Sequence, residues 1–285
     1  MLDVIWDTAL DALKLLPFLF AAYLLMEYVE HRSGDGFANA IRKAGRFGPL
    51  IGGFLGIFPQ CGFSAACANL YAGSVISAGT LLAVFLSTSD EMLPILISEG
   101  TEPLLILKIL GMKAFFGIGF GFLIDHAVRK AGKGKTEWSI EKLCEREHCS
   151  CEEEEGVLKP ALVHTLHVFL FVAAITFLIN LGIYFLGEDA LKEIAMGKPY
   201  FGELIAALIG LIPNCAASVV ITQLYLEGLI TAGAMISGLL TGAGIGLLVL
   251  YRVNDALKEN LMLTGVLYLS GVAGGMLVEA LHLAI

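Results

Sequence analysis

The sequence predicts an all-α polytopic membrane protein of two inverted repeats, each with three full spans and one re-entrant, broken-helix hairpin. Three observations support this prediction: an apolar composition, a repeated motif, and loops whose charge alternates in sign. Of 285 residues, 57% are hydrophobic and only 16% are charged, whereas a soluble domain carries roughly a quarter charged residues. We count about ten apolar segments, several of them near the ~20 residues that cross a bilayer.

The two halves of the chain repeat each other at an offset of 154 residues. Residues 56–79 read GIFPQCGFSAACANLYAGSVISAG and residues 210–233 read GLIPNCAASVVITQLYLEGLITAG, with nine of 24 positions identical. The same offset aligns Asp125 with Glu279. Collinear matches of this kind indicate an internal duplication. We therefore predict a first repeat at 1–131, a connector at 132–156 and a second repeat at 157–285.

The charged loops predict how the repeats cross the membrane. Residues 30–46 and 129–135 are basic, which favours the cytoplasm, whereas 98–102 and 187–203 are mostly acidic. These signs agree only if residues 49–72 enter and leave the membrane on one side. Each half then crosses three times, so the halves are inverted. We expect a multi-pass protein of the cell (inner) membrane, with a cytoplasmic connector and both termini outside.

The two hairpin tips are the first candidate site. Each combines a proline, a side-chain amide and a cysteine, and a helix that restarts there directs its positive end to the membrane centre. The candidate substrate-binding residues at the tips are Gln60, Cys61, Ser64, Asn214, Cys215 and Ser218. The alternative is that Pro59 and Pro213 merely kink ordinary spans.

Ionisable residues inside apolar segments are functional candidates by default. Asp90 and Glu91 interrupt a span at 87–91, whereas the corresponding 241–245 contains no acid. A carboxylate pair suits a bound cation or a proton; alternatively, Lys108 or Lys113 neutralises it as a structural ion pair. The candidate coupling or gating residues are Asp90, Glu91, His164, His167, Glu27 and Lys108. The histidines fit buried structural roles equally well, and Glu27 fits a solvated helix end.

The connector contains a cluster of thiols and one imidazole. Its candidate metal ligands are Cys144, His148, Cys149 and Cys151, which precede a run of glutamates. In a reducing compartment such a cluster favours a thiophilic ion such as Zn²⁺ over a disulfide. The alternative is an acidic linker whose cysteines bind nothing.

Four segments resemble a known family. The sequences FPQCGFS at 58–64, STSDEMLP at 87–94 and LKPALVHTL at 158–166, with the Cys/His connector, are similar to the ten-transmembrane heavy-metal exporters. Members of that family are described as arsenic efflux or manganese transport proteins. The resemblance implies export of a metal or metalloid, with the two tips, Asp90, Glu91 and His164 as its site residues.

We therefore predict a secondary transporter that exports a heavy metal or metalloid by alternating access. Carboxylates and amides suit Mn²⁺ or another divalent cation, whereas Cys61, Cys67 and Cys215 suit arsenic. The first alternative is an ion-coupled oxyanion carrier, whose tips would be similar to those of sodium–phosphate cotransporters. The second, from another class, is a membrane metal sensor that acts through the connector.

No cofactor is expected, apart from a coupling H⁺ or Na⁺ and a regulatory metal in the connector. The sequence contains no HExxH, GxSxG or Walker-type motif, so we predict neither an enzyme nor an ATP-driven pump. The expected partners are the lipid bilayer and a small inorganic ion. A net charge of −9 argues against nucleic acid, and a homodimer is left open.

Overall fold

The computed structural model describes residues 45, 47–58, 61–89, 92–130 and 201–281, with single positions of helical stretches at 13–24 and 162–181. Within these residues every regular element is helical and no strand occurs. The prediction of an all-α protein is therefore confirmed for this part of the chain.

Ten helices occur in the described residues, five before residue 131 and five after residue 200. Those of the first half are α1 (Gly48–Leu55), α2 (Cys61–Ala72), α3 (Ala78–Ser87), α4 (Met92–Ser98) and α5 (Pro103–Lys130). Those of the second half are α6 (Phe201–Gly210), α7 (Cys215–Leu226), α8 (Ala232–Thr241), α9 (Ile245–Val253) and α10 (Leu257–Ala280). The bounds of α2 and α3 recur in α7 and α8 at the offset of 154 residues.

Within the described residues, four helical stretches are long and apolar enough to cross a membrane. They are Ala78–Ser98, which contains α3 and α4, Ala232–Val253, which contains α8 and α9, and the single helices α5 and α10. Helices α1, α2, α6 and α7 have only 8 to 12 residues. At 1.5 Å per residue they are about 12 to 18 Å long, well short of the ~30 Å hydrocarbon core of a bilayer.

Helices α3 and α8 lie at the centre of the molecule. Every residue from Gly79 to Ser87 and from Gly233 to Thr241 is buried. Helix α3 packs between α1 and α5, and α8 packs between α6 and α10. The outer helices α5 and α10 instead expose large apolar side chains, among them Phe115 and Leu269. An apolar outer face around a buried centre is the pattern that a lipid environment requires.

The carboxylates aligned by the repeat perform the same task in both halves. Asp125 on α5 accepts the backbone N–H of Gly79 at 2.9 Å, at the start of α3. Glu279 on α10 accepts the backbone N–H of Gly233 at 3.2 Å, at the start of α8. A negative charge at a helix N-terminus satisfies otherwise unpaired N–H groups. Both residues therefore anchor an outer helix to a central one.

Glycines allow the outer helices to approach the central ones closely. A Cβ atom on Gly121 of α5 would lie 2.7 Å from the carbonyl oxygen of Gly79 and 2.9 Å from the Cβ of Ala83. The corresponding pair, Gly275 and Gly233, is in equally close contact. Close backbone approach at small residues is a main source of helix association in membranes.

We expect Gly121→Ala to destabilise the fold by about 1–3 kcal/mol, the usual cost of overpacking. Gly119→Ala on the same helix is the matched control, since nothing lies within 4 Å of its added Cβ. This control should be neutral or slightly stabilising, because alanine is the better helix former by about 0.5–1 kcal/mol. Thermal unfolding in detergent measures both variants. Equal melting temperatures would contradict the close approach of α3 and α5.

Candidate functional site

Four helix interruptions form the candidate site. Two are turns between short helices, which we name tip 1 (residues 56–60) and tip 2 (residues 211–214). Two divide the central stretches, break 1 (residues 88–91) and break 2 (residues 242–244). The predicted interruption at 87–91 is confirmed, because α3 ends at Ser87 and α4 begins at Met92. Its counterpart is also confirmed, because α8 ends at Thr241 and α9 begins at Ile245.

Within each half the tip lies beside the break. The Ser89 hydroxyl in break 1 donates a 2.6 Å hydrogen bond to the carbonyl oxygen of Ile57 in tip 1. A Cβ on Gly56 would overlap the Ser87 side chain. In the second half, a Cβ on Gly210 would overlap Thr241 in the same way. The repeat therefore extends to how tips and breaks pack.

Contacts between the halves bring the two pairs together. Gly246, the second residue of α9, is so close to Ser64 of α2 that an added Cβ would lie 2.8 Å from the Ser64 hydroxyl. The same Cβ would lie 2.9 Å from the Phe85 ring. Helix α2 thus packs on α9, and α7 packs on α4. The start of α9, next to break 2, therefore lies against α2, which follows tip 1, and α7, which follows tip 2, lies against α4, which follows break 1.

Three of the predicted tip residues are buried. Ser64, Asn214 and Ser218 are all buried, with at most 8% of the residue surface exposed. Asn214 caps α7, because its side-chain oxygen accepts the backbone N–H of Ala216 at 3.1 Å. Cys61 and Cys215 are the first residues of α2 and α7, and their side chains lie outside the description. Gln60 lies outside the described residues.

Lys113 was predicted only as a possible ion-pair partner of Asp90 and Glu91. In the structure it contacts a backbone carbonyl of the second half. Lys113 on α5 is 1% exposed, and its Nζ donates to the carbonyl oxygen of Leu239 on α8. The last four carbonyls of a helix have no intrahelical partner, and a cation is favourable there. Lys113 therefore links the first half to the C-terminal end of the second half's central helix, beside break 2.

The positive charge at Lys113 has no counterpart in the second half. At the offset of 154 residues its position is Leu267, which is also buried. Lys108, the predicted coupling residue on the same helix, is exposed. The asymmetry of the repeats thus includes a buried cation as well as the carboxylates Asp90 and Glu91. A lysine inside an apolar helix is the signal that could have found it from the sequence.

A second contact between the halves joins α2 to α10. The Tyr71 hydroxyl, near the end of α2, donates to the carboxylate of Glu259 at the start of α10. Tyr71 and Tyr225 are identical in the repeat, but the position that corresponds to Glu259 is Leu105. The repeat does not predict this pair, because Glu259 has no acidic counterpart in the first half.

Cys67 is buried within the apolar core on α2. In the described part of the chain, no group of three or more His, Cys, Asp or Glu residues is placed to hold a metal ion. The predicted residues that lie outside the described positions are Glu27, Asp90, Glu91, His164, His167, Cys144, His148, Cys149 and Cys151.

One protein family matches the sequence. The family described as "Putative, 10TM heavy-metal exporter" matches residues 2–179, which is more than half of the chain. The matched segment includes tip 1, break 1 and Lys113, and it ends before tip 2. No curated protein and no solved structure matches the chain.

Proposed function

The chain belongs to the ten-transmembrane heavy-metal exporter family, and from this we propose that it is a secondary transporter that exports a metal or metalloid ion by alternating access. The observation that carries the proposal is that, between the two halves, the helices that follow the tips pack against the helices that follow the breaks. Secondary transporters hold their substrates near the midplane with discontinuous helices of this kind. Irregular backbone at membrane depth is tolerated only against protein or a water-filled cavity.

Re-entrant hairpins and inverted halves are part of this proposal. The short lengths of α1, α2, α6 and α7 support hairpins that do not cross the bilayer. Helix α1 runs in the same direction as α3, since Gly48 lies against Thr80 and Gly56 against Ser87. That direction fits a chain that returns to its side of entry before α3 begins. Three crossings per half would then invert the second half, with both termini outside and the connector in the cytoplasm.

The substrate is assigned from the chemistry of the tips. Ser64, Ser218 and Asn214 offer hydroxyl and amide oxygens, and Asp90 and Glu91 would add carboxylates. This set suits Mn²⁺ or another divalent cation. Cys61 and Cys215 begin the helices that follow the two tips, and two thiolates there would suit arsenic instead.

A second candidate function is the transport of an oxyanion such as phosphate. The observation that favours it is Lys113, whose ammonium group is buried beside break 2. Helices α2 and α7 also begin next to the tips, and the positive dipole end of a helix favours an anion. The carboxylates Asp90 and Glu91 would then hold a coupling Na⁺ or H⁺ rather than the substrate.

Flux measured in proteoliposomes with the purified full chain tests these assignments. Mn²⁺, Zn²⁺, arsenite and phosphate are offered separately, with empty liposomes as the control. We expect movement of a metal or metalloid ion and none of phosphate. Phosphate flux alone would favour the second candidate. A chain that moves none of the four, but responds to metal through residues 144–151, would instead be the sensor.

We make a further prediction about the hydrogen bond between Tyr71 and Glu259. A double-mutant cycle of Tyr71→Phe and Glu259→Gln should show a coupling free energy of about 1–3 kcal/mol, as for hydrogen bonds to charged groups. The matched cycle pairs Tyr225→Phe with Glu259→Gln and should show no coupling. The measurement is thermal or denaturant unfolding in detergent. In transport, the loss of this bond should favour separation of the halves at that end, which changes the rate rather than the ion selectivity.

A further inference from the structure

Glu203 is a buried carboxylate that neither the repeat nor the site described above explains. It lies in the first turn of α6 and is 1% exposed. Neither of its carboxylate oxygens has a hydrogen-bond partner, and no other buried side chain in the described residues shares this property. The corresponding position of the first half is Pro49, so the duplication did not predict an acid here.

The two hydroxyl groups that contact the backbone at Glu203 and Leu204 already donate their hydrogens to carbonyl oxygens. Ser237 on α8 donates to the backbone carbonyl oxygen of Glu203 at 2.8 Å. Tyr268 on α10 donates to the backbone carbonyl oxygen of the next residue, Leu204, at 3.2 Å. Each hydroxyl has one hydrogen, so neither is left for the carboxylate.

On the described helices that pack against α6, each charged side chain either has another hydrogen-bond partner or is exposed. Among the described helices, α6 packs against α7, α8 and α10, and α8 contains no titratable side chain. Glu259 accepts from Tyr71, and Glu279 accepts from the Gly233 N–H. The other titratable groups of these helices and their caps are Cys215, Tyr225, Glu227, Lys258 and Tyr268. Of these, Glu227 and Lys258 are exposed.

A carboxylate in these surroundings needs compensation. An isolated charge removed from water costs several kcal/mol even after relaxation, and a buried polar group without a hydrogen bond adds to that cost. A metal cation would need several oxygen ligands, and in the described part of the chain no group of three or more His, Cys, Asp or Glu residues is placed to hold one. A proton needs only the carboxylate itself.

We propose that Glu203 binds and releases a proton during the transport cycle. This inference rests on the proposed function. Glu203 is seven residues from the end of α6, so about 10 Å of helix separates it from tip 2. Its backbone carbonyl oxygen accepts a hydrogen bond from Ser237 on α8, five residues before break 2 begins. Movement of α6 relative to α8 would therefore change both the access to the substrate site and the access of water to this carboxylate.

The first test does not depend on transport. Infrared spectra of the full chain in membranes should contain the C=O band of a protonated carboxylic acid, and Glu203→Gln should lose that band. Glu203→Asp should keep it at a shifted frequency. The matched control is Glu102→Gln, whose side chain is exposed before α5, and it should leave the band unchanged. A band whose intensity is the same in Glu203→Gln as in the wild type overturns the proposal.

The second test measures flux driven by an imposed pH gradient in proteoliposomes. Glu203→Gln should lose the gradient-driven component, whereas Glu203→Asp and Glu102→Gln should retain it. If the band is lost but the pH dependence of flux is unchanged, the carboxyl group is structural and the coupling role is wrong. If the wild type carries none of the ions offered, the proposed function fails, and the infrared result still decides whether Glu203 holds a proton.

Discussion

Replacing Lys113 by leucine should abolish transport and lower the stability of the protein. Leucine is the residue at the corresponding position of the second half, Leu267, which is buried in the same core, so that half shows that the side chain can be accommodated. The substitution removes the donor to the carbonyl oxygen of Leu239. An unsatisfied buried acceptor costs about 1–3 kcal/mol. The interior also loses the buried cation that distinguishes the first half.

Lys130→Ala is the control for this experiment. Lys130 is the last residue of the same helix and is exposed, and alanine is again the residue of the other half, at Ala284. We expect the control to retain flux and melting temperature within error. Flux of the reconstituted variants and thermal unfolding in detergent measure the two effects separately. Wild-type flux in Lys113→Leu would show that this charge takes no part in transport.

Neutralising the carboxylate pair should have the second large effect. The double variant Asp90→Asn, Glu91→Gln keeps the size of both side chains and removes both charges from break 1. If these carboxylates bind a cation, we expect flux to fall by at least about tenfold, since each 1.4 kcal/mol of lost binding corresponds to a factor of ten. If they couple protons instead, the flux should lose its dependence on pH.

Glu99→Gln combined with Glu102→Gln is the control for the carboxylate pair, because it removes two exposed charges near the end of α4. Flux and its pH profile in proteoliposomes should be unchanged in this control. The assignment of Asp90 and Glu91 fails if their double variant behaves like the control. Combining Lys113→Leu with the neutralised pair adds information: if the charges compensate each other, the combined variant should be more stable than Lys113→Leu alone.

Much of the fold follows from local sequence. Break 1 and break 2 were predicted at 87–91 and 241–245, and the helices that follow the tips begin at Cys61 and Cys215. These features depend on residues near each other in the chain: prolines, glycines and polar runs end helices wherever the chain goes.

The contacts between the halves did not follow from the sequence. Lys113 binding the Leu239 carbonyl joins residues 126 positions apart, and Tyr71 binding Glu259 joins residues 188 apart. Neither pair has a counterpart in the repeat, because the duplicated positions are Leu267 and Leu105. The isolation of the Glu203 carboxylate is likewise a property of its neighbours rather than of its own segment.

The sequence by itself thus determined a helical membrane protein of two related halves and the positions where its helices stop. Helix interruption is a local effect, and apolar length and loop charge are sums over short segments. Only the tertiary structure decided that the helices that follow the tips pack against those that follow the breaks, and which ionisable side chains are buried near them. Those outcomes depend on which helix faces pack together, and a helix that is apolar on most of its surface does not encode which face meets a partner and which meets lipid.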